Sequence, residues 1–295
     1  MRRQASRAGF TRISASPAEG VDTSDTAHAI SAAATGIATG PMGAASAGAA
    51  GAKAEARTRA LPIEAWMRPA AGPTSGRRIY IEGDGHAWAT RRRASSNPTP
   101  IRPVALELAI ADPSGEELIY LGRPCQYSDP VSNEACRPWL WTQARFGKES
   151  INALSSRVDD ILTAAQEERP LTLVGYSGGG VIALLLAARR DDVERVVTVA
   201  APLDVQVWSD QTGTTPLYAS ETPMTHLEEL AKVEQLHFTG ARDGQVGTAP
   251  AKSFIHALSR HARTNPTAAE FQLKIVPDAD HSNWPEIWPE LCSEL

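Results

Sequence analysis

The sequence predicts an α/β fold, in which a mostly parallel central sheet is flanked by helices. Three observations favour this fold. Strand-like and helix-like segments alternate from Leu61 to Leu295, as they do where crossover helices connect parallel strands. The glycine-rich turn "GYSGG" joins a short apolar segment to a longer apolar segment that is rich in leucine and alanine. Of the 295 residues, 42% are hydrophobic and 21% are charged, which is ordinary for a globular domain.

The predicted strands are short runs of apolar, β-branched or alternating residues. In chain order they are "LPIEAWMRP", "RRIYIEG", "ELIYLGRP", "LTLV", "VERVVTVAAP", "QLHFTG" and "EFQLKIVPDAD". The predicted helices are "VALELAIAD", "SINALSSRVDDILTAAQEE", "VIALLLAA", "MTHLEELAKV", "APAKSFIHALSRHA" and, as a terminal helix or turn, "NWPEIWPELCSEL". In the second of these, Ile151, Leu154, Val158 and Ile161 recur at helical spacing.

Residues 1–60 form a low-complexity extension that is rich in alanine and glycine between Ala27 and Ala56. We expect it to be disordered or weakly helical, because it has little apolar surface to bury. The segment "AGFTRISAS" gives a possible short first edge strand near residues 8–16. The basic start "MRRQASRAG" resembles the beginning of a signal peptide, but no apolar region follows at the usual distance. A targeting segment or tether is the alternative to an unstructured extension.

Charge and composition exclude several classes of partner. The net charge of −5 gives no indication of nucleic-acid binding. No run of about 18 apolar residues is present, so we expect no membrane span. The glycine-rich turn lacks the spacing of a nucleotide-binding loop, and the cysteines lack zinc-site spacing. We therefore expect neither a cofactor nor a metal, and the sequence leaves the oligomeric state open.

Ser177 is the candidate nucleophile. Gly175 and Gly179 flank it in a Gly-x-Ser-x-Gly pattern, between a predicted strand and a predicted helix. So tight a turn pushes the serine out at the carboxyl end of the strand, beside the positive end of the helix. A plain structural turn is the alternative interpretation, and a histidine and an acid further along the chain would decide against it.

His281 is the candidate base, because it lies in the loop "DADHSN" after the last predicted strand. A serine hydroxyl needs such a base to take its proton. His86, in the loop after "IYIEGDG", is a second residue that could approach the site. The other five histidines are expected to be surface or packing residues: His28 in the extension, His226, His256 and His261 in predicted helices, and His237 in a strand.

Asp243 is the candidate acid that orients the base, because it follows the penultimate strand in "HFTGARDGQVG". Its alternative role is a turn aspartate before a glycine. Asp204 follows an earlier strand and is a rival for the same role. Asp278 and Asp280 are discounted, because a side chain two or three residues from His281 rarely reaches the far nitrogen of its ring.

Serine, acid and histidine in this chain order resemble the α/β-hydrolase superfamily, over roughly Leu61 to Leu295. "GYSGG" resembles its nucleophile elbow, "GARDGQV" its acid loop and "DADHSNW" its histidine loop. "IYIEGDG" and "LIYLGRPCQYSD" are similar to a bacterial group within it. The resemblance implies an α/β-hydrolase catalytic domain over residues 61–295.

The same resemblance implies an oxyanion hole made by the backbone N–H groups of Gly178 and Asp84. The loop that supplies the second donor has His-Gly-x-Gly in many members, and here it reads Glu82-Gly83-Asp84-Gly85. A carboxylate beside an oxyanion is unfavourable, so the Asp84 side chain should point away or pair with an arginine. Arg91, Arg92 and Arg93 are candidate counter-charges, or a site for an acidic substrate; a solvated loop is the alternative.

Two further segments bear on the site. The stretch from Pro202 to Thr225 has no helix pattern, and its length is typical of a lid or binding loop. Four of its residues either line an acyl pocket or anchor the loop: Trp208, Leu217, Tyr218 and Met224. Trp88, Trp139 and Trp141 are open to the same two interpretations.

Cys125 and Cys136 flank a polar, turn-forming segment, which favours a disulfide between them and leaves Cys292 free. Such a bond indicates a periplasmic or exported protein. The alternative is a reduced pair in a cytoplasmic protein, which the absence of a recognisable signal peptide favours.

The sequence thus predicts a serine hydrolase that acts on a small-molecule carboxylic ester through Ser177, His281 and Asp243. Acyl transfer, or hydrolysis of a thioester, lactone or amide, uses the same residues. A non-catalytic binding or scaffold protein on the same fold is the alternative from another class.

Overall fold

The computed structural model describes residues 1–14, 61–73, 76–165, 169–214, 217–263 and 265–295. The disorder or weak helicity predicted for most of residues 1–60 therefore lies outside the described residues. The strands are β1 (Thr11–Ile13), β2 (Ala65–Arg68), β3 (Arg77–Ile81), β4 (Trp88–Thr90), β5 (Arg93–Ala94), β6 (Glu117–Leu121), β7 (Leu171–Tyr176), β8 (Val193–Val199), β9 (Glu234–Gly240) and β10 (Phe271–Val276). The helices are α1 (Arg2–Arg7), α2 (Val104–Ala111), α3 (Lys148–Ala165), α4 (Gly178–Ala187), α5 (Val205–Thr212), α6 (Leu227–Leu230), α7 (Ala249–Ala262) and α8 (Trp284–Leu291).

Eight strands form one sheet in the order β1-β2-β6-β3-β7-β8-β9-β10. The six strands from β6 to β10 are parallel, whereas β1 and β2 pair antiparallel at one edge. Strands β4 and β5 form a separate antiparallel hairpin. The predicted fold class is confirmed. Because β3, β7, β9 and β10 run in the same direction, the loops after their carboxyl ends meet at one edge of the sheet.

Helices cover both faces of the sheet. On one face Ile79, Ile81 and Leu173 pack in a core cluster that includes residues of α3, α4 and α7. On the other face Tyr80 and Val174 belong to a cluster with residues of α2 and α8. Alternate residues of β3 and β7 thus enter opposite cores, which is why residues 79–81 of β3 and 173–174 of β7 are apolar or aromatic on both faces.

The amino-terminal residues 1–14 pack against the domain. The predicted first edge strand is present as β1, and it pairs with β2. Helix α1 was not foreseen, and it is held in place because Ala5 and Phe10 are buried in the same cluster as Trp66. Tertiary burial, rather than the local sequence pattern, accounts for this short helix.

The prediction that the stretch from Pro202 to Thr225 contains no helix is wrong, because α5 lies within it. The Asp204 side chain accepts hydrogen bonds from the backbone N–H groups of Gln206 and Val207 at the start of α5. Gly213 ends the helix in a left-handed conformation, with φ of 60°. In "MTHLEELAKV" the regular helix is limited to the four residues of α6, after a 3₁₀ turn over Pro223–Thr225.

The predicted disulfide is present between Cys125 and Cys136, and Cys292 is free and buried. The bridge lies in the segment that follows β6, at the edge of the sheet where the candidate site forms. Cys292 directly follows α8 and belongs to the second core cluster, together with Trp284 and Trp288.

Candidate active site

Ser177 lies at the sharp turn between β7 and α4. Its φ of 50° and ψ of −124° are unusual for a residue with a side chain. Its N–H donates to the carbonyl of Val199 at 2.8 Å, which holds the turn against β8. A Cβ on Gly175 would lie 2.3 Å from the Gly179 carbonyl oxygen, so only glycine fits there. The two glycines of the motif therefore allow the close approach that places Ser177 at the start of α4.

Asp243 and His281 are in direct contact. Nδ1 of His281 lies 2.8 Å from Oδ2 of Asp243. The other carboxylate oxygen, Oδ1, accepts hydrogen bonds from the N–H groups of Gln245 at 2.8 Å and Val246 at 2.9 Å. Burial by itself raises the pKa of Asp243, but the bond to His281 and the backbone N–H groups outweigh burial and hold this pKa below its usual range. Asp243 is thus an ionised, fixed acceptor for the imidazole.

The rival acids have other partners. Asp204 caps α5 and accepts a hydrogen bond from the Ser253 hydroxyl at 2.6 Å. Asp280 accepts bonds from the backbone N–H groups of Ser282 and Asn283, which shapes the histidine loop. Asp278 forms an exposed ion pair with Arg242. None of these carboxylates contacts the His281 ring among the described residues.

Ser177 and His281 line one cavity of about 880 Å³ at the carboxyl edge of the sheet, together with Glu82, Asp84 and Tyr176. Among the described residues, no hydrogen bond joins the Ser177 hydroxyl to the His281 ring. Such bonds are often long in unliganded enzymes and shorten when substrate binds. The cavity thus brings the serine and the Asp243–His281 pair to one space.

Tyr176 was not foreseen as a site residue, and it positions the histidine loop. Its hydroxyl donates to the backbone carbonyl of His281 at 2.7 Å, and the two rings are 5.3 Å apart. Burial raises the pKa of Tyr176, so this hydroxyl remains a donor at neutral pH. Because Tyr176 immediately precedes Ser177, it ties the candidate nucleophile and the candidate base, His281, to one short segment.

The two predicted oxyanion donors, Asp84 and Gly178, are adjacent. A Cβ on Gly178 would lie 2.1 Å from Oδ1 of Asp84, so the carboxylate lies directly over this glycine. No hydrogen bond within the described residues takes up the N–H of either residue. Gly85 bends the loop with φ of +64°, and a Cβ there would meet the Pro98 carbonyl oxygen at 2.2 Å. Both N–H groups are therefore without a hydrogen-bond acceptor among the described residues, and their role as oxyanion donors stays a prediction.

The Asp84 carboxylate is neutralised by two arginines that the sequence did not single out. Nη1 of Arg145 lies 2.6 Å from Oδ2, and Nη1 of Arg123 lies 3.3 Å from Oδ1. Burial by itself raises the pKa of Asp84, but the two guanidinium groups outweigh burial and lower this pKa. The prediction that Asp84 pairs with an arginine is met, but not by Arg91, Arg92 or Arg93, which belong to the exposed hairpin of β4 and β5.

Glu82 is buried under the same loop. Its Oε1 accepts a hydrogen bond from the Gly83 N–H at 2.9 Å, and its Oε2 accepts one from the Tyr120 hydroxyl at 2.9 Å. Burial raises the pKa of Glu82 to about 7, although these hydrogen bonds lower it in part. The Glu82 carboxyl group therefore holds the backbone of the Glu82–Gly85 loop from below.

The remaining predicted residues divide between the cavity and other places. His86 and Trp208 line the Ser177 cavity. His237 is buried in β9, where burial lowers its pKa to about 3, and it is a packing residue as expected. Met224 packs against the core, whereas Tyr218 is 84% exposed and does not anchor its loop. Trp88 and Leu217 line a neighbouring cavity, Trp141 is buried and Trp139 is 41% exposed.

Within the described residues, no helix is long and apolar enough to cross a membrane. The described part of the chain also contains no group of three or more His, Cys, Asp or Glu side chains arranged to hold a metal ion.

Comparison with solved structures gives neighbours of α/β-hydrolase fold. An acylaminoacyl peptidase from Pyrococcus horikoshii matches with a TM-score of 0.54 and 12% identity, over 78% of this chain and 38% of that chain. The esterase Est1E from Butyrivibrio proteoclasticus matches with a TM-score of 0.52 and 13% identity, over 79% of this chain and 93% of that chain. An esterase from Pyrococcus furiosus matches with a TM-score of 0.53 and 13% identity, over 79% of this chain and 83% of that chain.

These likenesses establish the fold. The chain spans 38% of the length of the peptidase that it matches, and most of the length of the two esterases. No family model matches the sequence, and no curated protein matches it.

Proposed function

We propose that this protein is a serine hydrolase that cleaves carboxylic esters through Ser177, His281 and Asp243. The observation that carries the proposal is the 2.8 Å contact between Asp243 and Nδ1 of His281, a residue that lines the same cavity as Ser177. The contact leaves Nε2 as the free nitrogen of the ring. Two esterases among the structural neighbours, each matched over most of its length, favour an ester substrate.

In the first half of the reaction, Ser177 Oγ attacks the ester carbonyl carbon while His281 Nε2 takes the hydroxyl proton. Asp243 keeps the His281 proton on Nδ1 and stabilises the imidazolium that forms. The carbonyl oxygen becomes an oxyanion, and it accepts hydrogen bonds from the N–H groups of Gly178 and Asp84. Collapse of this intermediate releases the alcohol, which takes the proton from His281, and leaves an acyl group on Ser177.

In the second half, water attacks the acyl-enzyme and His281 again takes and returns the proton. The acid is released and Ser177 recovers its hydroxyl group. An amide passes through the same intermediates, and a peptidase is among the structural neighbours, so the choice between ester and amide must be measured directly.

Labelling with a fluorophosphonate probe tests the nucleophile. We expect the wild type to be labelled, Ser177→Ala to lose the label, and ester turnover to fall by about 10³-fold or more. Ser282→Ala is the matched control, because Ser282 is the other serine among the described residues that line the cavity. Labelling that persists in Ser177→Ala would contradict Ser177 as the nucleophile, whereas an unlabelled wild type would favour a non-catalytic protein.

The substrate class is tested with 4-nitrophenyl esters from acetate to palmitate and with 4-nitroanilides of the same acyl groups. We expect kcat/KM for the esters to exceed that for the anilides throughout. Equal or faster hydrolysis of the anilides would show that the protein is an amidase or peptidase.

A further inference from the structure

A second cavity, of about 600 Å³, adjoins the Ser177 cavity. The two share lining residues of the oxyanion loop and of α5, among them Asp84, Gly85, His86 and Trp208. The remaining wall of the second cavity comes from the β4–β5 hairpin and from the segment that contains Arg145. A substrate bound at Ser177 can therefore extend into this second space past the oxyanion loop.

The charges around the second cavity are not balanced. Two buried guanidinium groups, Arg123 and Arg145, meet the single carboxylate of Asp84. Nη2 of Arg123 donates to the Arg145 backbone carbonyl, so the two arginines are held as one cluster. Glu82 does not pair with either of them, since its oxygens accept from Gly83 and Tyr120. Two guanidinium groups against the one carboxylate that pairs with them leave this cluster with an excess of positive charge, which Glu82 reduces in part because its charge also acts on Arg123.

Arg145 presents that charge to the cavity. Its side chain is only 8% exposed, its Nε donates to the Thr142 carbonyl at 2.7 Å, and its Nη1 binds Asp84. Nη2 makes no hydrogen bond within the described residues. The guanidinium group lies 5.9 Å from the centre of the Trp208 ring, which fixes its plane against an apolar wall. Among the described residues that line this cavity, Asp84 is the only acidic one, whereas the exposed Arg91 adds a further positive charge.

We infer that the second cavity is an anion subsite, and that the substrate is an ester carrying a carboxylate which Arg145 binds. The inference rests on the proposed hydrolase function and adds the class of substrate. A guanidinium group that is fixed by Asp84 and Trp208 gains a planar, charge-assisted contact with a carboxylate without reorganisation. A neutral chain of the same length gains only apolar contact with the tryptophan walls.

Paired esters that differ only in the anionic group test the subsite. The 4-nitrophenyl half-esters of succinate, glutarate and adipate are compared with the 4-nitrophenyl esters of butanoate, pentanoate and hexanoate. A second pair, 4-carboxyphenyl acetate and 4-methylphenyl acetate, places the anion on the alcohol side. After subtraction of the uncatalysed rates, we expect kcat/KM for the anionic ester to exceed that for the neutral ester by about tenfold or more in at least one pair. This is the size of effect that a hydrogen bond to a charged group gives.

The ratio of kcat/KM for the anionic and neutral members of a pair is then measured in variants. Arg145→Met should lower this ratio by about tenfold, whereas a purely structural role of Arg145 would lower both rates equally and leave the ratio unchanged. Arg145→Lys, which retains the charge, should keep part of the preference. Arg93→Gln is the matched control, because Arg93 is an exposed arginine of the β4–β5 hairpin that does not line the cavity. We expect this variant to leave the ratio unchanged.

Inhibition of the wild type provides a readout that does not depend on folding of the variants. Glutarate should inhibit 4-nitrophenyl pentanoate hydrolysis at a concentration about tenfold below that needed for pentanoate, because only glutarate carries the second carboxylate. Three results would overturn the subsite, provided that neutral esters are still hydrolysed. They are equal inhibition by glutarate and pentanoate, an anionic-to-neutral kcat/KM ratio of one or less in every pair, and a ratio that Arg145→Met leaves unchanged. Absence of both fluorophosphonate labelling and all ester hydrolysis would instead overturn the hydrolase proposal.

Discussion

The substitution Asp243→Asn tests the proposed triad by changing which nitrogen of the His281 ring carries the proton. In the structure Oδ1 of Asp243 accepts two backbone N–H bonds, from Gln245 and Val246, and Oδ2 faces Nδ1 of His281. An asparagine in this place must keep its oxygen toward the two backbone donors, because its NH₂ group cannot accept from them. The NH₂ group then faces His281 and donates to Nδ1. The ring is forced to carry its proton on Nε2, where it cannot take the proton of Ser177.

The expected effect is large on turnover and small on folding. The wrong tautomer removes the base from the reaction, and comparable changes in other triads lower kcat by about 10⁴. Both backbone bonds to the side chain persist, so the unfolding midpoint in urea should change little. Stopped-flow or steady-state hydrolysis of a 4-nitrophenyl ester measures kcat, and circular dichroism checks the fold.

Asp204→Asn is the matched control, because Asp204 also accepts two backbone N–H bonds but caps α5 and contacts Ser253. Its effect on kcat should be less than about tenfold, since asparagine caps helices nearly as well as aspartate. A fall of less than tenfold for Asp243→Asn, or a larger fall for Asp204→Asn, would refute the assignment of Asp243 as the acid.

Three further predictions concern stability. Cys125→Ser/Cys136→Ser should lower the free energy of unfolding by about 2–3 kcal/mol, and thiol titration of the denatured wild type should find one free thiol. Because the pKa of Glu82 rises from 4.5 to about 7 on folding, the folded state keeps a proton that the unfolded chain has lost. The free energy of unfolding in urea should therefore fall by about 3 kcal/mol between pH 4.5 and 7. Glu82→Gln should remove this fall. The same pH profile in the wild type and in Glu82→Gln would contradict a raised pKa of Glu82. Asp84→Ala should lower the free energy of unfolding by about 3 kcal/mol, because it leaves two buried guanidinium groups without a counter-charge. As a control, Glu221→Ala breaks the more exposed pair with Arg189 and should lower the free energy of unfolding by under about 1 kcal/mol.

Local sequence patterns sufficed for the fold. The central parallel strands β7 and β8 are buried over most of their length, so they read as short segments of mainly apolar and β-branched residues, which are typical of strands. The cysteine spacing likewise predicted the disulfide. In contrast, α5 was missed although Asp204 and Gly213 are typical capping residues, because its surface sequence has no apolar stripe.

The identity and order of Ser177, Asp243 and His281 are properties of the sequence, since each follows a predicted strand and parallel strands bring their carboxyl ends together. Which charges surround them was decided only by the tertiary structure. The sequence offered Arg91, Arg92 and Arg93 for Asp84 because they are near in the chain, yet Arg123 and Arg145 bind it from 39 and 61 residues away. An ion pair depends on distance in space and on burial, and neither has a signature in the local sequence.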